Sequence, residues 1–227
     1  MKEGVALAKS KVVTMDEAME HVRSGMTVMI PGFVNCGVPE SLIKAVIEAG
    51  YTDFNVISNN TSVQGRGIGR LVHENRIRHI TCSHIGSNKE TVAKVVAGEI
   101  DVTFTPQGTL CERIRAGGAG IGGILTPTGL GTSIQEGKQI IEVDGKRYIL
   151  ETPLRADLAL IHAWKADKMG NCIFRHTARN FNSIMATAAD LVIVEAEEIV
   201  EIGELEPDYI MTPGCLVDFV VQGRRPE

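Results

Sequence analysis

Apolar and polar positions follow two alternating rhythms along the first half of the chain. Short β-rich runs at Thr27–Ile30, Phe54–Ser58, His79–Cys82 and Val102–Thr105 read as strands. Between them lie stretches with helical spacing. In Pro39–Ala49, Leu42, Ile43, Val46 and Ile47 fall on one face. Pro39 suits the first turn there, Glu40 complements the helix dipole, and Gly50 is placed to close the helix. Gly67–Glu74, Lys89–Ala97 and Leu110–Ala116 continue the helical pattern, and a further helical stretch precedes Thr27, where Asp16 is placed to cap it. Strands alternating with helices in this way predict βαβ units. The expected fold is α/β: an open, mostly parallel sheet with helices on both faces.

The second half changes character. Gln139–Val143 and Lys146–Leu150 flank Asp144-Gly145, a pair that supplies the positive φ angles of a two-residue turn, so a β-hairpin is expected. Asp157–Ala163 and Leu191–Glu195 read as buried strands, with a helix near Asn182–Ala189 between them. There is no internal repeat, charge block or long linker, so residues 1–227 are expected to form a single domain.

Charge and composition then exclude several classes. The 23 Lys+Arg against 28 Asp+Glu give a formal charge of −5, which argues against a nucleic-acid surface. No apolar run approaches the roughly 18 residues of a membrane helix. Met1–Lys11 lacks the apolar core of a secretory leader. Five cysteines, with no Cys-x-x-Cys pair, read as reduced thiols of a cytoplasmic protein, with neither disulfides nor a zinc site. The six histidines show no metal-ligand spacing, and no Walker loop or Gly-x-Ser-x-Gly elbow is present.

Glycine is in excess, 24 of 227 or about 11 %, against a typical ~7 %. The loop Pro31-Gly32-Phe33-Val34-Asn35-Cys36-Gly37-Val38-Pro39 lies between the carboxyl end of a predicted strand and the start of a helix, where open α/β sheets bind ligands. A tight turn that merely needs glycine is the competing reading. Gly117-Gly118-Ala119-Gly120 opens a second glycine cluster. It satisfies G-x-G-x-x-G from Gly118, yet it follows a helix and runs into the extended Ile124–Pro127, the wrong context for a dinucleotide fingerprint. A ligand loop or plain flexibility is expected instead. In Thr105-Pro106-Gln107-Gly108-Thr109, Gln107 has an uncharged amide donor suited to an oxyanion, unless Thr105 or Thr109 simply caps the helix. Asn59 and Asn60 occupy another strand end, with satisfaction of loop backbone as the bland reading. Cys36 is expected to pack as a small residue, Trp164 to lie in the core, and Glu195, Glu197, Glu198 and Glu201 to form a solvated acidic face.

Taken together, Pro31–Pro39, Ser58-Asn59-Asn60, Thr105–Thr109 with Glu112–Gly120, and Ala178-Arg179-Asn180-Phe181-Asn182 resemble, in that order, the A (α) subunit of the family I 3-oxoacid CoA-transferases. The resemblance spans about Val12 to Gly223. It implies a ping-pong transfer of CoA from a short-chain acyl-CoA to a free carboxylate of the acetate, acetoacetate or butyrate class, with CoA as substrate and no permanently bound cofactor. The family's nucleophilic glutamate lies in a Ser-Glu-Asn-Gly-type motif of the β subunit, and the only Glu-Asn here is Glu74-Asn75. The resemblance therefore implies a β-subunit partner, in an α2β2 assembly. It further implies that Pro31, Gly32, Phe33, Val34, Asn35, Cys36 and Gly37 contact CoA, that Gln107 supports the reacting carbonyl, and that Asn59, Asn60, Gly117, Gly118, Ala119 and Gly120 line the substrate cleft. Pro31 stands where the family usually has glycine, and proline has no N–H to give. Two rivals are a sugar-phosphate isomerase of related fold and a non-catalytic CoA- or nucleotide-binding module.

Overall fold

A computed structural model describes residues 9–224; most of the stretch read above for a leader therefore lies outside the described residues. The elements in chain order are α1 (Met15–Met19), β1 (Thr27–Met29), α2 (Glu40–Glu48), β2 (Phe54–Ile57), α3 (Ile68–His73), β3 (Ile77–Cys82), α4 (Lys89–Val96), β4 (Asp101–Phe104) and α5 (Gln107–Ala119). They continue with β5 (Ile124–Thr126), β6 (Ile140–Val143), β7 (Lys146–Glu151), β8 (Ala156–Asp167), β9 (Cys172–Ile173), α6 (Asn182–Met185), β10 (Ala189–Val200) and β11 (Phe219–Gln222). The main sheet has the order β11-β10-β8-β1-β2-β3-β4, with every neighbouring pair parallel and short β9 antiparallel on β8.

The alternation of side chains along the strands divides the interior into two cores. Val28, Ile30, Leu158 and Leu160 pack with Val22, Leu42, Ile43 and Leu71 from the α1–α3 side. Met29, Ala159 and Ile161 point the other way, against Leu110, Ile114 and Met185 of α5 and α6. The expected parallel sheet with helices on both faces is therefore present. The hairpin is too: Asp144 (φ 50°) and Gly145 (φ 71°) join β6 to β7, and β5 adds a third antiparallel strand.

Four local expectations need correction. Thr14, not Asp16, caps α1; its hydroxyl accepts from the Glu17 N–H while the Glu17 side chain accepts from the Thr14 N–H. The glycine stretch 117–119 is helix, because α5 runs on to Ala119 and Gly120 closes it in the left-handed conformation. The predicted helix near 182–189 shortens to Asn182–Met185. Strands β8 and β10 run further than predicted, pairing as far as Asp167↔Val200, since cross-strand contacts such as Lys165–Glu198 (2.9 Å) carry them past the apolar segment.

Candidate functional site

Because the strands are parallel, their carboxyl ends share one edge of the sheet, and the segments singled out in the sequence follow these ends. The loop 31–39 leaves β1, Asn59 and Asn60 follow β2, and Gln107 follows β4. β4 lies three positions from β1, about 14 Å away at ~4.8 Å per strand.

The first loop is tied down from several directions. Phe33 and Cys36 exchange two backbone hydrogen bonds of 3.1 Å, folding the tip so that Phe33 and Val34 stand 51 % and 38 % exposed. Asn59, 2 % exposed, donates its Nδ2 to the Gly32 carbonyl (3.3 Å), so Asn59 belongs to the same construction. Asn60 instead accepts from the Ser62 N–H (2.7 Å) and organises its own turn. On the far side, Asn180 Nδ2 donates to the Cys36 carbonyl (3.0 Å) and Asn182 Nδ2 to those of Gly37 (2.9 Å) and Ala178 (2.7 Å). Gly37 has φ 71°, and a Cβ there would stand 2.6 Å from the Ala178 carbonyl oxygen, so only glycine fits between loop and clamp. Cys36 is exposed, its Sγ 3.1 Å from Thr177 Oγ1; it is a loop-tip thiol and not a packing residue. The resemblance contained Ala178–Asn182 without giving it a task. Its task in the fold is to hold the loop.

Asn35, Cys36 and Gly37 form one wall of an open cleft of ≈ 870 Å³ whose other walls carry Arg66, Arg70, Arg175 and Arg224. Four guanidinium groups against the carboxylates of Glu40 and Glu197 make this a positive spot on a chain of charge −5, suited to an anionic ligand. Both carboxylates are engaged. Glu40 accepts from the Gly67 N–H (2.8 Å) and lies 3.7 Å from Arg70, and Glu197 lies 3.2 Å from His162 Nε2. Burial pushes the His162 pKa down to about 4, and its Nδ1 has no partner, so the ring is neutral. The acidic run is thus no uniform solvated face. Glu195 is 2 % exposed, and burial raises its pKa to about 7, while Glu198 and Glu201 pair with lysines at the surface. Trp164 is half-buried rather than core, with Lys165 and Arg175 over its ring at 5.1 and 5.6 Å.

Gln107 is the first residue of α5, exposed, and outside the wall of that cleft. Neither threonine caps the helix. Pro106 is the N-cap with no side-chain bond, Thr105 Oγ1 lies 3.4 Å from the half-buried Arg113, and Thr109 Oγ1 has no partner. The Gln107 amide is therefore presented at a helix start with unused N–H groups around it. Gly117 and Gly118 serve close packing: an added Cβ would meet the Leu154 carbonyl oxygen at 2.0 Å and Thr187 Oγ1 at 2.1 Å. Ala119 and Gly120 are exposed at the end of the helix. Glu74-Asn75 lies at the exposed C-terminus of α3. Burial raises the Cys82 pKa to about 11 and raises that of Cys172 as well, which leaves those thiols protonated. Among the described residues no group of side chains has the makings of a metal site, and no helix is long and apolar enough to cross a membrane.

Known proteins resemble this chain in sequence and in fold. The chain is 49 % identical over 213 residues to the alpha chain of the acetate CoA-transferase of Escherichia coli K12, covering 94 % of this chain and 97 % of that one. It is 45 % identical over 213 residues to the alpha chain of the acetoacetyl-CoA:acetate/butyrate CoA transferase of Clostridium acetobutylicum, covering 94 % and 98 %. Its fold matches the solved acyl-CoA transferase apoenzyme of Escherichia coli O157:H7 with a TM-score of 0.82 at 23 % identity, covering 98 % of this chain. It spans about half, 48 %, of that longer chain. The model of the family described as coenzyme A transferase matches residues 12–223, and the chain belongs to that family.

Proposed function

We propose that this chain is the α subunit of a heteromeric, cytoplasmic CoA-transferase. It moves CoA between a short-chain acyl-CoA and a free carboxylate of the acetate, acetoacetate or butyrate class, in an α2β2 assembly. The observation that carries this reading is near-full-length similarity, at 45 % and 49 % identity, to chains named as the alpha component of such enzymes. The glycine loop beside an arginine-lined cleft supports it, since that is a berth for an anionic thioester carrier.

The nucleophile arrives from the β subunit. Its glutamate carboxylate attacks the acyl carbonyl, the C–S bond breaks, and CoA leaves as thiolate from an acyl-glutamyl anhydride. The thiolate attacks the glutamyl carbonyl and expels the first carboxylate, leaving a glutamyl-CoA thioester. The second carboxylate repeats these steps in reverse. One thioester is exchanged for another, so neither ATP nor a bound cofactor is required. In this scheme Pro31–Gly37 and the buried Asn59 shape the CoA side of the cleft, with Asn60 supporting the neighbouring turn. Gln107 donates to the carbonyl oxygen as charge develops on it. Pro31 has no N–H, and those of Phe33 and Cys36 are engaged with each other, so backbone N–H contacts from this loop come from its other positions.

Co-expression tests the reading. The purified chain alone should show no transfer of CoA between acetoacetyl-CoA and acetate, and addition of the β subunit should restore it. Transfer by the lone chain, or a CoA adduct on one of its own carboxylates, would refute it.

A further inference from the structure

Helix α2 begins without a local cap. Its N-cap is Pro39, which offers no side-chain hydrogen bond and no N–H. The missing acceptor comes from 153 residues away in sequence: Glu195 on β10 takes the Ser41 N–H (2.8 Å) and the Leu42 N–H (2.9 Å) on the same Oε2. This carboxylate is 2 % exposed, and Gly223 leaves room for it, since a Cβ there would meet Glu195 Cγ at 2.4 Å. An ionised carboxylate without an ionic partner is costly to bury, and two N–H bonds at a helix N-terminus offset only part of that cost. A carboxylate buried at such a cost on the first turn of the helix into which the loop runs points to a role in fixing that loop.

We propose that Glu195 is a positioning residue for the CoA-contacting loop, its buried carboxylate pinning the first turn of α2 and thereby the Gly37–Pro39 end of the loop. This rests on the reading of residues 31–37 as the loop that meets the thioester carrier. Of the other tethers, Asn59 on Gly32 and Asn180 and Asn182 on Cys36 and Gly37 are neutral amides, and Cys36 Sγ meets the Thr177 hydroxyl, so Glu195 is the one carboxylate among them. Around it stand Glu40, Lys44 and Glu48 from α2, Arg70 from α3, His162 from β8 and Arg224 beyond β11. Glu40 adds to the upward shift of Glu195, Lys44 and Glu48 pair with each other at 3.2 Å, and His162 stays neutral down to about pH 4. Glu197, two positions along the strand, is turned to His162. With its pKa near 7, Glu195 loses its charge as pH falls from 8 to 6, weakening both bonds to α2.

The test uses the assembled α–β enzyme and Glu195→Gln, which keeps an acceptor oxygen but fixes the neutral state. In the wild type, KM for acetoacetyl-CoA should rise several-fold between pH 8 and pH 6, with kcat changing less. The variant should show the raised KM at both pH values, with a Tm at pH 8 no lower than wild type. A variant whose KM profile runs parallel to that of wild type overturns the proposal, whatever its Tm. Should the variant fail to fold, hydrogen exchange on the wild-type enzyme decides. Protection of the Ser41 and Leu42 amides, corrected for intrinsic rate, should fall several-fold from pH 8 to 6, and constant protection overturns the proposal. Wild-type enzyme without CoA transfer would instead refute the parent reading, while the exchange measurement would still judge Glu195.

Discussion

At the scale of single residues, the informative side chains are polar groups whose surroundings fix one protonation state or one direction of donation. His162 is such a group. Its folded pKa of about 4 lies below the 6.5 of an exposed histidine, because burial disfavours the cation. Glu197 at 3.2 Å pulls the other way, but the second proton would sit on an Nδ1 that has no acceptor. The folded protein thus binds fewer protons than the unfolded chain between these values. The associated stability is complete above about pH 6.5 and is lost as pH falls toward 4. Wild-type Tm should therefore drop more steeply from pH 7 to 5 than that of His162→Gln; equal slopes would remove His162 from the acid transition. Glu195 works in the opposite sense. Its raised pKa makes the folded state the better proton binder, so its contribution declines as pH rises from about 4.5 to 7. Gln107 carries the chemical prediction at this scale. In the α–β complex, Gln107→Ala should lower kcat on the order of 10²-fold with little change in KM for acyl-CoA, the pattern of a lost oxyanion donor. An unchanged kcat would take Gln107 out of the reaction.

At the scale of elements, the correction to α5 shows where local reading stops. Glycine disfavours a helix interior by about 1 kcal/mol relative to alanine, so Gly117-Gly118 looks like a break. The structure keeps them helical because residues 154 and 187 press against that face at distances no side chain would fit. Propensity lost to packing, and no pattern within the helix announces the neighbour. Gly117→Ala should therefore destabilise the protein by about 1–3 kcal/mol, as overpacking does, even though alanine is the better helix former. Chemical denaturation of the purified chain measures this, and a stabilised variant would mean that the 152–155 segment yields freely. The cap of α1 is a different kind of miss. Thr14-x-x-Glu17 is a capping-box spacing visible in the sequence, so that signal was there to be read.

At the scale of the whole molecule, the parallel sheet was legible because βαβ alternation is written in short periods: two along strands, 3.6 along helices. The same holds for the hairpin at Asp144-Gly145. The candidate site was legible in part. Gly32, Asn59 and Gln107 all follow strands whose ends share one edge, as strand-end logic predicts. What holds the loop was not legible. Asn180 and Asn182 meet it from 144 and 145 positions away, and Glu195, which meets the first turn of the following helix from 153 and 154 positions away, sits in a run of glutamates that reads as surface. Only the register of β10 beside β8, with Glu195 opposite His162, turns that carboxylate inward.

Those long tethers also bear on the order of assembly. Closing a contact between positions 36 and 180 must wait for the intervening chain, and its entropy is lost before any bond compensates for it. A ribosome that has released the first four strands has made a sheet edge, yet the turn at Phe33–Cys36 still lacks its far anchor. On the proposed reading of this loop as the one that meets CoA, competence for that ligand is acquired late, when the final third of the polypeptide docks, and fragments without that third would lack the anchored loop.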